Sequence, residues 1–441
     1  MEQLLAISPI DGRYKDITYP LHSYFSEYAL FKYRLKVEIE YFIELCKTIP
    51  DLSDFSNDNF NVLRNIYINF TPLDCQEIKK IECDTKHDIK ALEYFIQYKF
   101  RKLNMSKYNS FIHFGLTSQD INTSSLMLGI KESLAEVIVP EIINVKTILD
   151  NLSSIWKDIP MLSRTHGQPA TPTTVGKELQ VFAYRLTNEI KNLEKTIFYT
   201  KFGGAVGNFS AHLAAYPDIN WFEFADKLIN RLGLVRHKYT TQISNYDEIS
   251  YILDSLKRIN CIILDLNQDI WLYISNGYFK QKINKNEVGS STMPHKVNPI
   301  NFENSEGNLI ISNSLIEGIS RKIPISRLQR DLTDSTILRN IGSVFAFSLI
   351  GYTSTIKGLN KLEINKKIIK KDLESNFVVI SEALQTILRR ERINNAYEIF
   401  KDFTRNVGDV VDKNAILDFI DNLDIQKSIK DELVAVSTDF L

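Results

Sequence analysis

Residues Tyr246–Ser275 read YDEISYILDSLKRINCIILDLNQDIWLYIS, a run with neither glycine nor proline. Ile249, Ile252, Leu256, Ile259, Ile263, Leu266, Ile270 and Tyr273 follow one another in alternating steps of three and four. That is the stripe of a helix packed along its whole length. Leu253, Ile262, Leu264 and Leu272 fall off the stripe, so the helix is apolar on more than one face and must be covered on several sides. At 1.5 Å per residue it predicts a rod about 45 Å long. A bundle of long helices shared between subunits accommodates such a rod; a central helix in one large monomeric core is the alternative. The fold class expected is all-α.

The rest of the chain agrees with that class. In 441 residues there are only 17 Gly and 12 Pro, too few for a many-stranded protein of this length. Phe25, Tyr28, Phe31, Leu35, Ile39 and Phe42 predict a first long helix from about His22 to Thr48. Thr117-Ser118-Gln119-Asp120 resembles a capping box opening a helix that reaches the Lys146 region. A further helix is expected from after Pro172 to about Phe198, and beyond Gly358 shorter amphipathic helices return. The length allows two or three domains, and the divisions expected are an N-terminal helical domain over 1–111, a central long-helix domain over 112–357 and a C-terminal helical domain over 358–441.

Composition narrows the function. A net charge of -1 is no footprint for a broad nucleic-acid surface, so a polyanionic ligand must meet a local cluster of Arg and Lys. Cys46, Cys75, Cys83 and Cys261 show no CxxC spacing and suggest neither disulfides nor zinc. Glu2 and Pro9 do not suit a signal peptide, and no apolar run has membrane-spanning length. A cytoplasmic location and no membrane partner are expected.

Three stretches interrupt the helical pattern with residues that helices do not need: His113–Ser118 (HFGLTS), Arg164–Pro172 (RTHGQPATP) and Gly289–Pro299 (GSSTMPHKVNP). Each precedes a long helix, where free N–H groups and the positive end of the macrodipole favour anions. Ordinary capping explains any one of them; the density of Gly, Ser, His and Lys in the third exceeds what capping needs. His166 has a ring suited to proton transfer near neutral pH, though a lone histidine is often structural. Ser290 becomes a base only if positive groups stabilise its alkoxide, which Lys296 and the helix start at Asn298-Pro299 can supply. There is no GxSxG and no HExxH, so neither a serine hydrolase nor a metal site is expected.

GSSTMPHKVNP closely resembles the signature of the aspartase/fumarase superfamily, whose members eliminate fumarate from a succinyl group. The other two stretches are similar to the superfamily's remaining shared regions, in the same order. Within it the chain resembles the adenylosuccinate lyase family through residues 8–14 (SPIDGRY), 86–88 (KHD), 239–242 (YTTQ) and 327–339 (RLQRDLTDSTILR). The likeness spans nearly all of residues 1–400 and is weakest in the last forty.

The resemblance implies a three-domain helical fold, a homotetramer with active sites shared between subunits, and β-elimination of fumarate from adenylosuccinate and from the succinyl-aminoimidazole-carboxamide ribotide of purine biosynthesis. No cofactor is implied. It implies His166 as general acid, Ser290 as general base, Lys296, Val297 and Asn298 around the succinyl carboxylates, and Glu303 orienting the His166 ring. It further implies Arg13, Tyr14, Arg330, Ser335 and Arg339 for the nucleotide and its phosphate, with His87, Asp88, Thr117, Ser118, Gln242 and Asn304 completing the pocket. Lys86 departs from the family, which carries Asn there; the cation either adds a phosphate contact or points to solvent. Another superfamily lyase, such as argininosuccinate lyase, is the nearest alternative. A structural protein that kept the fold without catalysis is the alternative from another class.

Overall fold

A computed structural model describes residues 3–282, 293, 296–406 and 411–439. The described chain is helical, with three two-stranded ribbons: Pro160–Thr165 against Gln168–Thr174, Tyr199–Thr200 against Val235–Arg236, and Phe279–Gln281 against Leu362–Ile364. It divides into two compact units. One comprises Met1–Ile143, Asn188–Cys261 and Ser305–Thr353; the other comprises Asn144–Thr187, Ile262–Asn304 and Ser354–Leu441.

The run that decided the fold class is a single helix, Asp247–Ser275. Ile249, Ile252, Leu256, Ile259, Ile263, Leu266 and Ile270 are all buried, as their three-and-four spacing requires. Among the off-stripe residues Leu253 and Ile262 are buried too, whereas Leu272 is exposed. Other long helices among the described residues are Glu27–Cys46, Val139–Ile155, Val175–Glu194, Ile300–Lys322 and Ile341–Leu359. Ser118–Ser133 continues through a π-helical turn at Leu134–Ile138 into Val139–Ile155, nine residues beyond the expected end at Lys146. Buried Leu134 and Ile138 carry the apolar face across that turn.

In the first unit the core forms around Glu27–Cys46, which packs on Ser118–Ser133. The expected helix from His22 is interrupted at Ser26, whose ψ of 161° is extended and whose hydroxyl accepts the Ala29 N–H as an N-cap. Glu27–Cys46 is buried nearly all round, so its charged residues need partners. Glu40 takes a forked bond from Arg64 at 2.7 and 3.0 Å, and Glu44 accepts from Arg231 at 2.5 Å. Glu38 meets the His113 ring at 2.5 Å, and Arg34 meets Asp88 at 2.9 Å.

In the second unit, the stretch Arg164–Pro172 that interrupts the helical pattern belongs to an antiparallel hairpin over Pro160–Thr174. The residues from Phe377 to Leu433 build an apolar core of their own, including Ile380, Leu384, Phe400, Ile416 and Ile420.

Candidate active site

The first unit holds a cavity of about 320 Å³. Six residues expected at a nucleotide site line it: His87, Asp88, Ser118, Arg330, Ser335 and Arg339. Arg330 is held on several sides. Its Nη1 donates to Gln242 Oε1 at 3.1 Å and its Nη2 to Ser335 Oγ at 3.2 Å. Its Nε stands 4.0 Å from Asp334, which also accepts the Tyr246 hydroxyl at 3.0 Å. Burial, with Asp334 beside it, pushes the Tyr246 phenol well above its ordinary range, so it stays a neutral donor. A guanidinium oriented in this way presents a fixed fork to an anion.

Spacing arguments missed Arg34, which reaches this cavity from the core helix. Its side chain is 6% exposed, and its Nε–H is buried with no partner among the described residues. Burial raises the Asp88 carboxyl, but the charge of Arg34 and the Ile89 N–H outweigh burial and leave Asp88 below its ordinary value. Three guanidinium groups, Arg34, Arg330 and Arg339, thus face the cavity against two carboxylates, Asp88 and Asp334. A helix pattern could not have distinguished Arg34 from a surface arginine, because its partner lies on another helix.

Of the other residues of this unit expected at the site, Arg13, Tyr14, Lys86, Thr117 and Gln242 do not line the cavity. Thr117 precedes Ser118 at the helix start, and its N–H donates to Asp120 Oδ2 at 2.9 Å. Arg13 is exposed and sits over the Tyr14 ring at 6.0 Å. Lys86 is exposed and ends the helix Pro72–Thr85 with φ +54°. That left-handed conformation is one that Gly and Asn adopt more readily than Lys. His87 caps the next helix, its Nδ1 accepting the Lys90 N–H at 3.1 Å.

The second unit carries the other group of expected residues. His166 and Gly167 form the two-residue turn of the hairpin with φ +54° and +76°. Successive positive values are what a type I′ connection demands, and they tie Gly167 to glycine although nothing crowds its position. The His166 side chain is exposed and has no hydrogen-bond partner among the described residues. Glu303 Oε1 accepts from Trp271 Nε1 at 3.0 Å, so within this chain the Glu303 carboxylate is held by an indole and is not bonded to His166. Asn304 Oδ1 accepts from Ser354 at 2.8 Å. Lys296 and Val297 are exposed and Asn298 half-buried, just ahead of the helix beginning at Ile300. Ser290 lies outside the described residues. Among the described residues no group of three or more His, Cys, Asp or Glu is placed to hold a metal ion.

Comparison with known proteins identifies the family and the fold. Residues 12–311 match the family described as Lyase, and residues 326–440 match the one described as Adenylosuccinate lyase C-terminal. An adenylosuccinate lyase of Dictyostelium discoideum is 52% identical, covering 99% of this chain and 96% of that one. The Escherichia coli K12 adenylosuccinate lyase is 43% identical over the same shares. Among solved structures, a fumarate lyase from Mesorhizobium sp. BNC1 superposes with a TM-score of 0.75 at 17% identity, covering 96% of this chain and 93% of that one. A 3-carboxy-cis,cis-muconate lactonizing enzyme from Pseudomonas putida gives 0.71 at 16% identity, covering 96% and 95%. These last two likenesses speak for the fold.

Proposed function

The chain belongs to the adenylosuccinate lyase family, and on that premise we propose that His166 and Ser290 divide the two proton transfers of its elimination. The enzyme is a C–N lyase of all-helical aspartase/fumarase type, splitting adenylosuccinate into AMP and fumarate. The same chemistry applies to the succinyl-aminoimidazole-carboxamide ribotide. Ser290 takes the C–H proton next to a carboxylate, electrons move to expel the nitrogen, and His166 protonates it as it leaves. Lys296 and Asn298, with Val297 between them, hold the succinyl carboxylates where negative charge grows. Glu303 orients the imidazole of His166.

The nucleotide is held in the cavity of the first unit. One observation carries that half of the reading: Arg330 is fixed by Gln242, Ser335 and Asp334 at the edge of a cavity where guanidinium groups outnumber carboxylates. Arg339 adds a second fork for the phosphate. Arg13, Tyr14, Lys86, His87, Asp88, Thr117, Ser118 and Asn304 complete the ligand's surroundings.

The enzyme acts as a homotetramer in the cytoplasm, with each active site assembled from several subunits. Apolar side chains left in solvent on the long helices support this: Tyr184 is 65% exposed, Leu272 51%, Ile300 61% and Ile310 50%. No helix among the described residues is long and apolar enough to cross a membrane. The separate apolar core from Phe377 to Leu433 supports a C-terminal domain over 358–441, after domains over 1–111 and 112–357.

The test is incubation with adenylosuccinate, following loss of substrate absorbance and appearance of AMP and fumarate. Release of fumarate from argininosuccinate and not from adenylosuccinate would replace this reading with the neighbouring lyase.

A further inference from the structure

The hairpin Pro160–Thr174 carries His166 at its tip, and a two-stranded ribbon is barely stable in water by itself. Its base is secured by burial of Met161 and Leu162. Beyond the register shift between Leu162 and Ser163, residues 164–168 are all exposed, so the outer half has no apolar packing of its own. Its moorings there are polar. Arg164 Nη2 donates to Asp372 Oδ2 at 2.6 Å, and Thr171 Oγ1 donates to Glu382.

Asp372 is itself clamped. The Tyr278 hydroxyl donates to the same Oδ2, and Asn376 Nδ2 donates to Oδ1 at 3.2 Å. Tyr278 is buried and stacked on Tyr273. A carboxylate bonded on both oxygens, on the helix Lys366–Ser375, therefore grips the first hairpin strand two residues before His166. An isolated ion pair at the surface is worth about 0–1 kcal/mol and fixes little. This one belongs to a network whose other members are held in place.

We propose that Asp372 is a positioning residue for the elimination, acting through Arg164 to hold the hairpin that presents His166. The inference rests on the reading of His166 as general acid. Two strand residues span about 7 Å, so a small tilt at Arg164 becomes a displacement of the ring. A misplacement of about 1 Å can cost roughly 100-fold in rate. The segment after Gly358 thereby takes part in catalysis without supplying a reacting group.

The experiment uses the full-length enzyme with Asp372→Asn, Asp372→Ala and Arg164→Gln, measuring kcat, KM and Tm. The expected result is a kcat lowered about 10–100-fold, with KM within about two-fold and Tm close to wild type. Placed on a His166→Ala background, Asp372→Ala should remove nothing further from the residual rate, because Asp372 acts only through the ring. If Asp372→Ala does not fold, the exchanged pair Arg164→Asp with Asp372→Arg serves instead, and recovery of kcat above either single variant is expected. Undiminished kcat in Asp372→Asn beside an inactive His166→Ala overturns the positioning role alone. So does a full additional loss in the His166→Ala background. A fully active His166→Ala removes the acid assignment and this role together.

Discussion

The Asp120 carboxylate and the Lys201 ammonium lie 2.7 Å apart with neither side chain exposed. Asp120 Oδ1 also accepts the Gly203 and Gly204 N–H groups at 2.8 and 3.2 Å, while Oδ2 accepts Thr117 N–H. Lys201 donates in addition to the Gly204 carbonyl at 2.5 Å. Burial lowers the Lys201 ammonium below its ordinary range, and the Asp120 charge opposes that fall. The pair knots the helix start at Thr117-Ser118 to the segment 201–204, which sets Ser118 at the cavity.

Removing one member of this pair leaves the other charged and buried. Lys201→Met should therefore destabilise the fold by about 3–5 kcal/mol. Lys201→Met combined with Asp120→Asn should recover part of that loss, because no bare charge remains. Denaturant midpoints of the two variants decide the matter; equal stability of Lys201→Met and wild type would show that the pair contributes nothing.

Arg34 and Arg339 face the same cavity for different reasons. Arg34 is paired with Asp88 and keeps that carboxyl below its ordinary value, whereas Arg339 lines the cavity with no ion pair among the described residues. Arg339→Leu should raise KM for adenylosuccinate at least about tenfold, equivalent to about 1.4 kcal/mol, with little change in Tm. Arg34→Met should raise KM as well, and Arg34→Lys should restore part of it. An unchanged KM in Arg339→Leu would exclude that residue from the site.

His113 gives the stability a pH dependence of known sign. Burial lowers the proton affinity of its ring, but Glu38 at 2.5 Å outweighs burial, aided by Glu93 and Asp120, and holds it above the ordinary value of 6.5. The folded protein therefore binds this proton more tightly than the unfolded chain. The resulting stability is fully present below pH 6.5 and is lost as pH rises through the folded value. His113→Gln should flatten the Tm profile across that window. A wild-type slope in the variant would assign the pH dependence to another group.

The proposal that each active site draws His166 and Ser290 from different subunits has a consequence for mixed oligomers. Two inactive proteins, His166→Ala and Ser290→Ala, should regain activity when dissociated together and reassembled. With one independent choice per contributing chain, roughly a quarter of sites receive both intact residues. Background activity in demonstrated mixed tetramers would place both residues on one chain.

Much of the architecture is legible in the sequence. The Tyr246–Ser275 pattern yielded the helix Asp247–Ser275 almost to the residue, because apolar periodicity and the absence of helix breakers are local properties of the chain. The helix start after Thr117 was legible from capping chemistry, which is likewise local, whereas the six residues that line the cavity were expected only through the family resemblance. The interruption at Ser26 and the hairpin around His166 were less legible. The first turns on one backbone angle at Ser26 and the second on two successive positive φ values at His166 and Gly167, which these residues tolerate but do not announce.

Partner choice lay beyond the sequence. Arg164 finds Asp372 at a separation of 208 residues, and Lys201 finds Asp120 at 81. Inside the helical core, Asn260 donates to Ser312, Asn313 and Ser348 and accepts from Tyr352, a buried network that no stripe of leucines foretells. Sequence determined where helices form and which residue types stand ready for chemistry, since backbone preference and side-chain periodicity act over a few residues. Tertiary structure alone decided which charges are buried and which partners satisfy them, because the strength of a charge pair depends on distance and exclusion of water.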